Sequence, residues 1–448
     1  MKRPALAMIT FLFLMALASP GKAEERISGQ QTPAVWTARE AVRFALQNSP
    51  DSLIAQQRIA SARAAITGAK SRLSPEIGLS SEYSQTNNPM YSFGNILNQK
   101  KFSNTIDFNN PGRTDNLDFK IQAQYRFYNG GQDQAAVEAA QAGENSSIAN
   151  LTVVQHQLGF EVVRLFLAIT QDQEMVAARE SAVAAIKASL AVAKARNEAG
   201  TLLKADLLNL EAQEAGATED LILARHSLEL TKRGFLNLLG LQGVDIVIDP
   251  RDTIDQITPK ALEYTHRPEL HVLANAIMAA EAEIRKAEGG RYPTMDGFAS
   301  YQVDNGSVMT GSGDSWMAGV RVNFSLYDGG RTTSGIAMAK SRLSELKEQK
   351  VKTELALNLD LQKADLEYQQ AEQRVLVTEK MVTVARESAR LNRIRFQEGV
   401  VLSSELIDVE KRLTDALVRQ SAARTLRQTA IANLRRAVGI PQFDQITE

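Results

Sequence analysis

Two acidic residues, Glu405 and Asp408, lie three positions apart in the stretch VVLSSELIDVEKR that follows Gly399. Residues with this spacing share one face of a helix. If copies of the chain surrounded a common axis, these positions would form stacked rings of carboxylates, which favour cations and raise one another's pKa values. Asp206 is the matching position in an earlier, similar stretch. The alternative is that these acids are solvated charges on a helix surface.

Other residue types that carry chemistry form no convincing site. The chain has no cysteine, which excludes disulfides, thiol catalysis and thiolate metal ligands. Its histidines are scattered, and the closest pair, His266 and His271, has Pro268 between its members and is best explained as structural. The stretch GSGD at 311–314 is predicted to be a loop and lacks the pattern of a phosphate-binding loop. We therefore expect no enzyme activity, no cofactor and no metal.

The first 23 residues have the pattern of a secretory signal peptide. Positive charge in MKRP precedes an apolar stretch of about 15 residues, and a small-residue cleavage site ends at Ala23. This stretch is shorter than the ~20 residues that span a membrane, and no later apolar stretch approaches that length. Cleavage removes Lys2, Arg3 and Lys22, so the formal net charge changes from -1 to -4, a near-balance that argues against nucleic-acid binding.

An internal repeat organises the rest of the chain. Three glycine pairs are each 199 positions apart: Gly131 and Gly330, Gly200 and Gly399, and Gly240 and Gly439. Two earlier proline pairs are each 218 positions apart: Pro50 and Pro268, and Pro75 and Pro293. One copy therefore carries 19 extra residues between Pro75 and Gly131. We predict an extended segment at 24–36, repeats at 37–241 and 256–440, a linker at 242–255 and a C-terminal tail at 441–448.

Each repeat is predicted to contain a long helical hairpin, at 132–239 and at 331–438. Both ranges lack proline, which breaks helix interiors, and both are rich in Ala, Leu, Glu, Gln, Lys and Arg. The first helix of each hairpin would span about 100 Å at 1.5 Å per residue. Gly200 and Gly399 then interrupt the pattern, as expected for helix C-caps that turn the chain. Helices of this length usually pack as coiled coils.

Four stretches change from helical to alternating periodicity, at about 76–86, 117–128, 295–304 and 315–327. In each repeat a polar loop joins two of these predicted strands, and the longer loop of the first repeat holds the extra residues. Strands of about 9–11 residues with one apolar face are typical of outer-membrane barrels. The alternative is a soluble sandwich whose apolar faces meet in a core.

The second strand of each repeat is followed by the same short motif: a tyrosine, an Asn or Asp, and two glycines. Paired glycines adopt backbone angles that residues with a Cβ resist, and Asn and Asp tolerate them. The motif therefore predicts a joint between a membrane strand and a long helix. It comprises Tyr128, Asn129, Gly130 and Gly131 in the first repeat, and Tyr327, Asp328, Gly329 and Gly330 in the second.

Four strands cannot close a barrel, and an open sheet edge in lipid would leave backbone groups unpaired. Two chains would supply 8 strands, a barrel that side chains fill, whereas three would supply 12 and leave a conduit. With its duplicated halves, its glycine joints and the G-x5-D/E-L-L/I pattern after each long helix, the sequence resembles the TolC-type family of outer-membrane efflux and secretion channels. The likeness covers nearly all of the mature chain. No single motif is highly specific, but their order and spacing are.

The resemblance implies a mainly α-helical fold with transmembrane β-strands. Long coiled-coil hairpins would form a periplasmic α-barrel, and four membrane strands per chain would form a 12-stranded barrel in a homotrimer. The resemblance also implies export of drugs, small molecules or proteins, with a periplasmic adaptor protein and an inner-membrane transporter as partners and outer-membrane lipid around the barrel. It places Glu405 and Asp408 at the periplasmic entrance. The rival interpretation is a secreted coiled-coil scaffold, which has no need of lipid-facing strands.

The resemblance further implies that the hairpin turns contact the adaptor. Ordinary coiled-coil packing is the alternative for the residues concerned, which are Gly200, Leu202, Leu203, Gly399, Val400 and Val401. The family's best-studied pattern has a Tyr and an Arg beside the second turn, where this chain has Phe396 and Val401. The polar links made by that Tyr and Arg cannot form here, so a closed state would have to be held differently.

Overall fold

The structure, a computed structural model, describes residues 33–249, 254 and 256–443. The predicted signal peptide, most of the segment at 24–36 and the end of the C-terminal tail lie outside the described residues. The described chain is mainly helical with one four-stranded antiparallel sheet. In chain order its elements are α1 (Ala38–Asn48), α2 (Pro50–Ser71), β1 (Glu76–Thr86), α3 (Pro89–Asn98), β2 (Thr114–Tyr128), α4 (Gln132–Glu198), α5 (Lys204–Leu239), α6 (Pro268–Gly289), β3 (Thr294–Gly306), β4 (Gly311–Asn323), α7 (Arg331–Gln397) and α8 (Ser403–Val438).

Two helical hairpins of equal length dominate the molecule. α4 and α7 each have 67 residues, and α5 and α8 each have 36. Their sequences permit such lengths because they contain no proline. At the two turns, Gly200 and Gly399 adopt left-handed backbone conformations with φ of 74° and 80°. In the first turn Thr201 N–H then donates to the backbone oxygen of Arg196 at 2.9 Å, which closes the helix, and the second turn repeats this bond.

α4 is the central helix of the described chain. It packs against α1, α2, α5, α6 and α8, whereas α7 packs mainly against α6 and α8. The largest hydrophobic cluster lies where α1, α4 and α5 meet, and it includes the buried side chains of Trp36, Phe166 and Phe235. Arg267, at the start of α6, is buried as well and pairs with Asp360 of α7 at 3.2 Å. These contacts hold the helices that connect the sheet to the two hairpins.

The sheet has the strand order β1-β2-β3-β4, so β1 and β4 form its two edges. The register aligns the alternating patterns of the four strands. Ile121 lies opposite both Leu79 and Tyr301, and Tyr301 in turn lies opposite Trp316. The predicted apolar residues therefore share one side of the sheet, the apolar face, and the other side is the polar face. Trp316 is 77% exposed and Leu79 is 72% exposed, so the described residues leave the apolar face uncovered.

The last strand ends earlier than the sequence predicts. The alternating pattern predicts a strand at 315–327, but β4 ends at Asn323. Its partner β3 begins at Thr294, which pairs with Asn323. The residue before Thr294 is Pro293, which has no N–H to continue the ladder. The alternating residues after Asn323 therefore lack a neighbouring strand among the described residues.

The connection between β1 and β2 contains a helix, α3, where the sequence predicts only a polar loop. Asn88 caps this helix by accepting a hydrogen bond from Met90 N–H at 3.1 Å, and Pro89 fits its first turn. In the second repeat, the stretch at 311–314 belongs to β4 rather than to the predicted loop, because it pairs with the end of β3. Both differences lie at the end of the sheet that is far from the long helices.

Candidate functional site

The two hairpin turns lie side by side, at the ends of the long helices that are remote from the sheet. A buried apolar cluster, the tip cluster, joins them and includes Leu210 from the first hairpin and Phe396, Val401 and Leu406 from the second. Phe396 and Val401 are the residues that replace the Tyr and Arg of the family pattern. The structure uses both of them for apolar packing, so the contact between hairpins has a hydrophobic centre.

Two hydrogen bonds cross between the hairpins beside the tip cluster. Arg196 Nη1 donates to the backbone oxygen of Phe396 at 2.9 Å, and its guanidinium carbon lies 5.6 Å from the centre of that aromatic ring. Ser403 Oγ donates to Asp206 Oδ1 at 2.6 Å, which satisfies a fully buried hydroxyl. Sequence patterns could not pair these residues, because the bonds join positions 200 and 197 apart.

The three acids predicted for the entrance lie in two environments. Glu405 and Asp408 are exposed near the start of α8. Glu405 Oε1 lies 3.9 Å from Arg395 Nη1, and Asp408 accepts a hydrogen bond from Arg412 one turn further along. Asp206 is half-buried, and its carboxylate accepts a hydrogen bond from the hydroxyl of Ser403 in the second hairpin. The chain thus presents Glu405 and Asp408 on its surface but keeps Asp206 inside the contact between hairpins.

A further acid on α8, Glu410, was not singled out from the sequence and is buried. Its carboxylate accepts two hydrogen bonds from the Arg393 guanidinium on α7, one of them at 2.7 Å. These bonds raise the pKa of Arg393 above its ordinary value, although burial opposes them. Removing the Arg393 guanidinium would leave the carboxylate of Glu410 buried and unpaired. The pair therefore fixes α7 against α8 close to the turn.

The residues predicted to contact an adaptor divide into exposed and buried ones. Leu203 and Val400 are exposed, as is the neighbouring Leu402. Leu202 is half-buried and packs against the tip cluster. Val401 is only 8% exposed and belongs to that cluster, so coiled-coil packing describes it better than an outer contact. The exposed apolar surface of the turns is therefore smaller than predicted and consists mainly of Leu203, Val400 and Leu402.

At the sheet end, both joints contain glycine pairs with left-handed backbone. Gly130, Gly131, Gly329 and Gly330 have φ angles of 70°, 82°, 69° and 85°. This region of φ favours glycine because a Cβ would be strained there. The second glycine of each pair is also the N-cap residue of the long helix, α4 or α7. Each pair thus marks the point where the chain leaves the sheet and enters a hairpin.

The two joints differ in how tightly they are packed. A Cβ built on Gly130 would overlap the backbone oxygen of Gly289, at the end of α6. One built on Gly329 would meet no atom of the described residues within 4 Å. The equivalent polar residues differ in the same sense, since Asn129 is buried and Asp328 is half-buried. The first joint is therefore pressed against the following repeat, whereas the second is open within the chain.

The tyrosines of the two joints also occupy different positions. Tyr128 ends β2, directly after an irregular step in its pairing with β3. Tyr327 lies beyond the end of β4 and is exposed. The residue after it, Asp328, accepts hydrogen bonds from the hydroxyl of Thr332 at 2.5 Å and from Thr332 N–H at 2.8 Å. These bonds lower the pKa of Asp328 below its ordinary value of 3.8.

The residues at the tip and the joints supply charge, packing and backbone geometry rather than reactive groups. Within residues 33–249, 254 and 256–443, no cluster of three or more His, Cys, Asp or Glu side chains could hold a metal ion. None of the helices in this part of the chain is long and apolar enough to cross a membrane.

Long hairpins that continue through glycine joints into a sheet with an uncovered apolar face define a class of protein: membrane channel subunits with a helical extension. The model of the outer membrane efflux protein family matches residues 41–241 and 261–440, one match in each repeat. The chain belongs to this family. Its two matches lie within the predicted repeats and leave the region between them unmatched.

Individual relatives agree with this assignment. Outer membrane protein TolC of Vibrio cholerae serotype O1 is 25% identical over 434 residues, which cover 92% of this chain and 93% of that protein. Outer membrane efflux protein BepC of Brucella suis biovar 1 is 25% identical over 248 residues. This match covers 52% of this chain and about half of BepC, 54% of its length. The crystal structure of VceC from Vibrio cholerae has a TM-score of 0.76 at 18% identity, covering 91% of this chain and 97% of that one.

The family and the fold together show a component of an outer-membrane efflux channel, with its long helical hairpins on the periplasmic side. Proteins of this family are channels rather than enzymes. The predictions of family, fold class and location are therefore confirmed. The roles of individual residues at the tip and at the joints stay predictions.

Proposed function

We propose that three copies of the chain close into one duct, a 12-stranded β-barrel continued by a helical barrel, which exports drugs, small molecules or proteins from the periplasm to the exterior. The observation that carries the proposal is a four-stranded sheet with an uncovered apolar face and two open edges, β1 and β4. Backbone groups left unpaired in lipid cost several kcal/mol each, so both edges need partners.

The order of the strands supports closure by identical chains. All neighbouring strands are antiparallel, so β1 and β4 run in opposite directions, and β4 of one chain can add to β1 of the next as a further antiparallel pair. Three chains supply 12 strands, enough to leave a lumen. The polar face would line that lumen with groups such as Lys120, Gln122 and the ion pair of Arg126 with Asp296.

Apolar side chains exposed along the hairpins support the same assembly. They include Ile222, Leu223 and Leu230 on α5, and Leu355, Leu366, Val377, Val384 and Leu391 on α7. Large exposed apolar patches mark contacts with other surfaces. A hairpin of a neighbouring chain would cover these residues, and α7 is suited to this contact because it packs against few helices of its own chain.

At the tip, three copies of Glu405 and Asp408 would form two carboxylate rings that favour cations at the periplasmic entrance. Asp206, bonded to Ser403, would help to hold the hairpins together rather than line the opening. The exposed Leu203 and Val400 would contact a periplasmic adaptor. That adaptor would connect the duct to an inner-membrane transporter, as in a tripartite efflux pump or a type I secretion system.

The mass of the detergent-extracted particle from the outer-membrane fraction tests the assembly, and we expect three chains per particle. Val320→Lys and Met317→Lys form a matched pair on β4, because Val320 lies on the apolar face and Met317 on the polar face. A lysine facing the middle of the bilayer costs about 2–4 kcal/mol, so only Val320→Lys should reduce the yield of the trimer. A monomeric particle, or a chain recovered without detergent, would contradict the proposal.

A further inference from the structure

The two repeats differ most at the end of the sheet that is far from the helices. Residues 87–113 connect β1 to β2, whereas only residues 307–310 connect β3 to β4. The longer connection, residues 87–113, is named the mouth segment; it contains α3 and the extra residues of the first repeat. The face of the sheet over which the mouth segment lies determines whether it would face the lumen or the lipid in the proposed barrel.

The mouth segment lies over the polar face, where the strands have glycines in place of side chains. A Cβ on Gly313 would overlap the backbone oxygen of Asn98, and one on Gly306 would overlap the side chain of Gln99. A Cβ on Gly311 would lie 2.6 Å from Gln99 Cβ. Strand alternation places all three glycines on the polar face. Glycine inside a strand often marks a close approach of another backbone, which is the situation at these positions.

A buried polar network fixes the mouth segment in this position. Gln99 is only 1% exposed, and its Nε2 donates to the backbone oxygen of Asp115 at 2.6 Å and to Asn116 Oδ1 at 3.0 Å. Asn116 Nδ2 in turn donates to Asp304 Oδ1 at 2.6 Å. The network therefore joins the segment to β2 and β3. Buried networks whose members are all bonded specify a single arrangement.

Backbone strain marks the same region. Lys100 in the mouth segment and Thr310 in the β3–β4 turn are the non-glycine residues of the described chain with positive φ, at 56° and 49°. Such conformations persist only where the surrounding structure holds them. Lys100 Nζ also pairs with Asp314 Oδ1 at 2.6 Å, which ties the segment to the edge strand β4.

The dimensions of the barrel show what this placement would mean in a trimer. With about 4.8 Å between strands and a tilt of about 40°, 12 strands enclose a backbone radius of about 12 Å. A helix with its side chains is about 10 Å across. Three helix-bearing segments on the inner surface of such a ring would occupy most of its opening.

We propose that the mouth segment narrows the extracellular opening of the channel and sets the largest solute that the channel releases. The proposal rests on the proposed trimeric barrel, because a single chain encloses no lumen. The rings of Phe93, Phe102 and Phe108 pack together with centres 5.9, 4.6 and 6.1 Å apart, which holds α3 against the rest of the segment. It is therefore a fixed constriction rather than a loose loop.

The lack of cysteine in the chain allows a direct test of access from outside the cell. Ser80→Cys places a thiol on the polar face of β1, deeper than the mouth segment, and Leu79→Cys places one on the apolar face. Intact cells are treated with a small charged thiol reagent, or with a maleimide-linked polyethylene glycol wider than the narrowed opening. The comparison background is Gly313→Ala, whose methyl group displaces the segment. Gly94→Ala is its matched control, because a Cβ there meets nothing within 4 Å.

We expect the small reagent to label Ser80→Cys in every background. The large reagent should label it several-fold faster with Gly313→Ala, or after replacement of residues 87–113 by a copy of residues 307–310, and should not respond to Gly94→Ala. The constriction would be overturned if the large reagent labelled Ser80→Cys as fast as the small reagent in the unchanged background. It would also be overturned if neither change made labelling by the large reagent faster. Labelling of Leu79→Cys by the charged reagent, or failure of the small reagent even after the replacement, would instead overturn the barrel itself.

Discussion

The two repeats form hairpins of the same length, but the joints and the turns at the two ends of these hairpins make different contacts. In the first repeat, the joint glycine Gly130 is pressed against the next repeat, and the acid after the turn, Asp206, is bonded across the hairpin contact. In the second, Gly329 has open space around it, and the equivalent acid, Glu405, is exposed. The duplicated sequence pattern determines helix length, whereas the elements packed around each copy determine whether its joint and turn residues are buried or exposed.

The difference follows from the places of the two long helices in the chain. α4 is surrounded by other helices of the same chain, so the first repeat uses its special residues for internal contacts. α7 lies at the side of the chain and packs against fewer helices, so the second repeat leaves equivalent residues exposed. The first repeat thus acts as the framework of the described chain, whereas the second leaves its tip acid and its joint more exposed.

The largest contrast is expected at the joints. Gly130→Ala and Gly329→Ala both place a Cβ on left-handed backbone, which costs about 1–2 kcal/mol. Gly130→Ala also drives the methyl group into the backbone oxygen of Gly289, and such overpacking adds about 1–3 kcal/mol. Thermal unfolding of the detergent-solubilised protein should therefore show a larger fall in Tm for Gly130→Ala. Equal falls would show that the two joints tolerate a side chain alike.

The equivalent acids give a second contrast, measured in planar bilayers. Glu405→Gln combined with Asp408→Asn should enlarge the single-channel conductance and weaken the preference for cations, because cations are no longer held at the entrance. The substitutions also leave Arg395 and Arg412 without their acidic partners. The control is Asp206→Asn, which keeps an oxygen to accept the bond from Ser403 and should preserve selectivity. Unchanged conductance and selectivity in the double variant would remove the entrance assignment.

The smallest contrast concerns pH. Hydrogen bonds from Thr332 lower the pKa of Asp328 below 3.8 in the folded chain, so the ionised carboxylate stabilises the second joint near neutral pH. That contribution is lost as the pH falls through the lowered value. Asn129, at the equivalent position, does not ionise. Asp328→Asn should therefore flatten the dependence of unfolding on pH below about pH 4, as measured by denaturant titration. A pH dependence identical to that of the parent protein would show that ionisation of Asp328 does not stabilise the second joint.

Local sequence patterns were sufficient for features that depend on short-range geometry. The long helices followed from the lack of proline, and the apolar face followed from alternation that the register then aligned. The early end of β4 could not be predicted from its own alternating pattern, because it depends on where the partner strand β3 begins, directly after Pro293. α3 was missed because it is short and lies in a polar stretch, although Asn88 before Pro89 is a recognisable helix start.

The candidate site was predictable to the extent that residue type alone determines geometry. The glycine pairs of the joints belong to this group, because left-handed backbone favours glycine. The bonds of Arg196 to Phe396 and of Ser403 to Asp206 do not, since they depend on how the two hairpins pack. Gly311 and Gly313 did offer a signal, as alternating glycines at a strand end. Because the stretch at 311–314 was predicted to be a loop, these glycines were not recognised as strand residues approached by another segment.

The equal lengths of the hairpins constrain how this protein can change. Each helix rises 1.5 Å per residue, so one extra residue in α4 alone would lower the first turn by about 1.5 Å and rotate it by about 100° relative to the second. Arg196 would then no longer face the backbone oxygen of Phe396. Because α4 matches α7 at 67 residues and α5 matches α8 at 36, the depth to which the molecule reaches can be altered only by coordinated insertions or deletions in both halves of the duplicated chain.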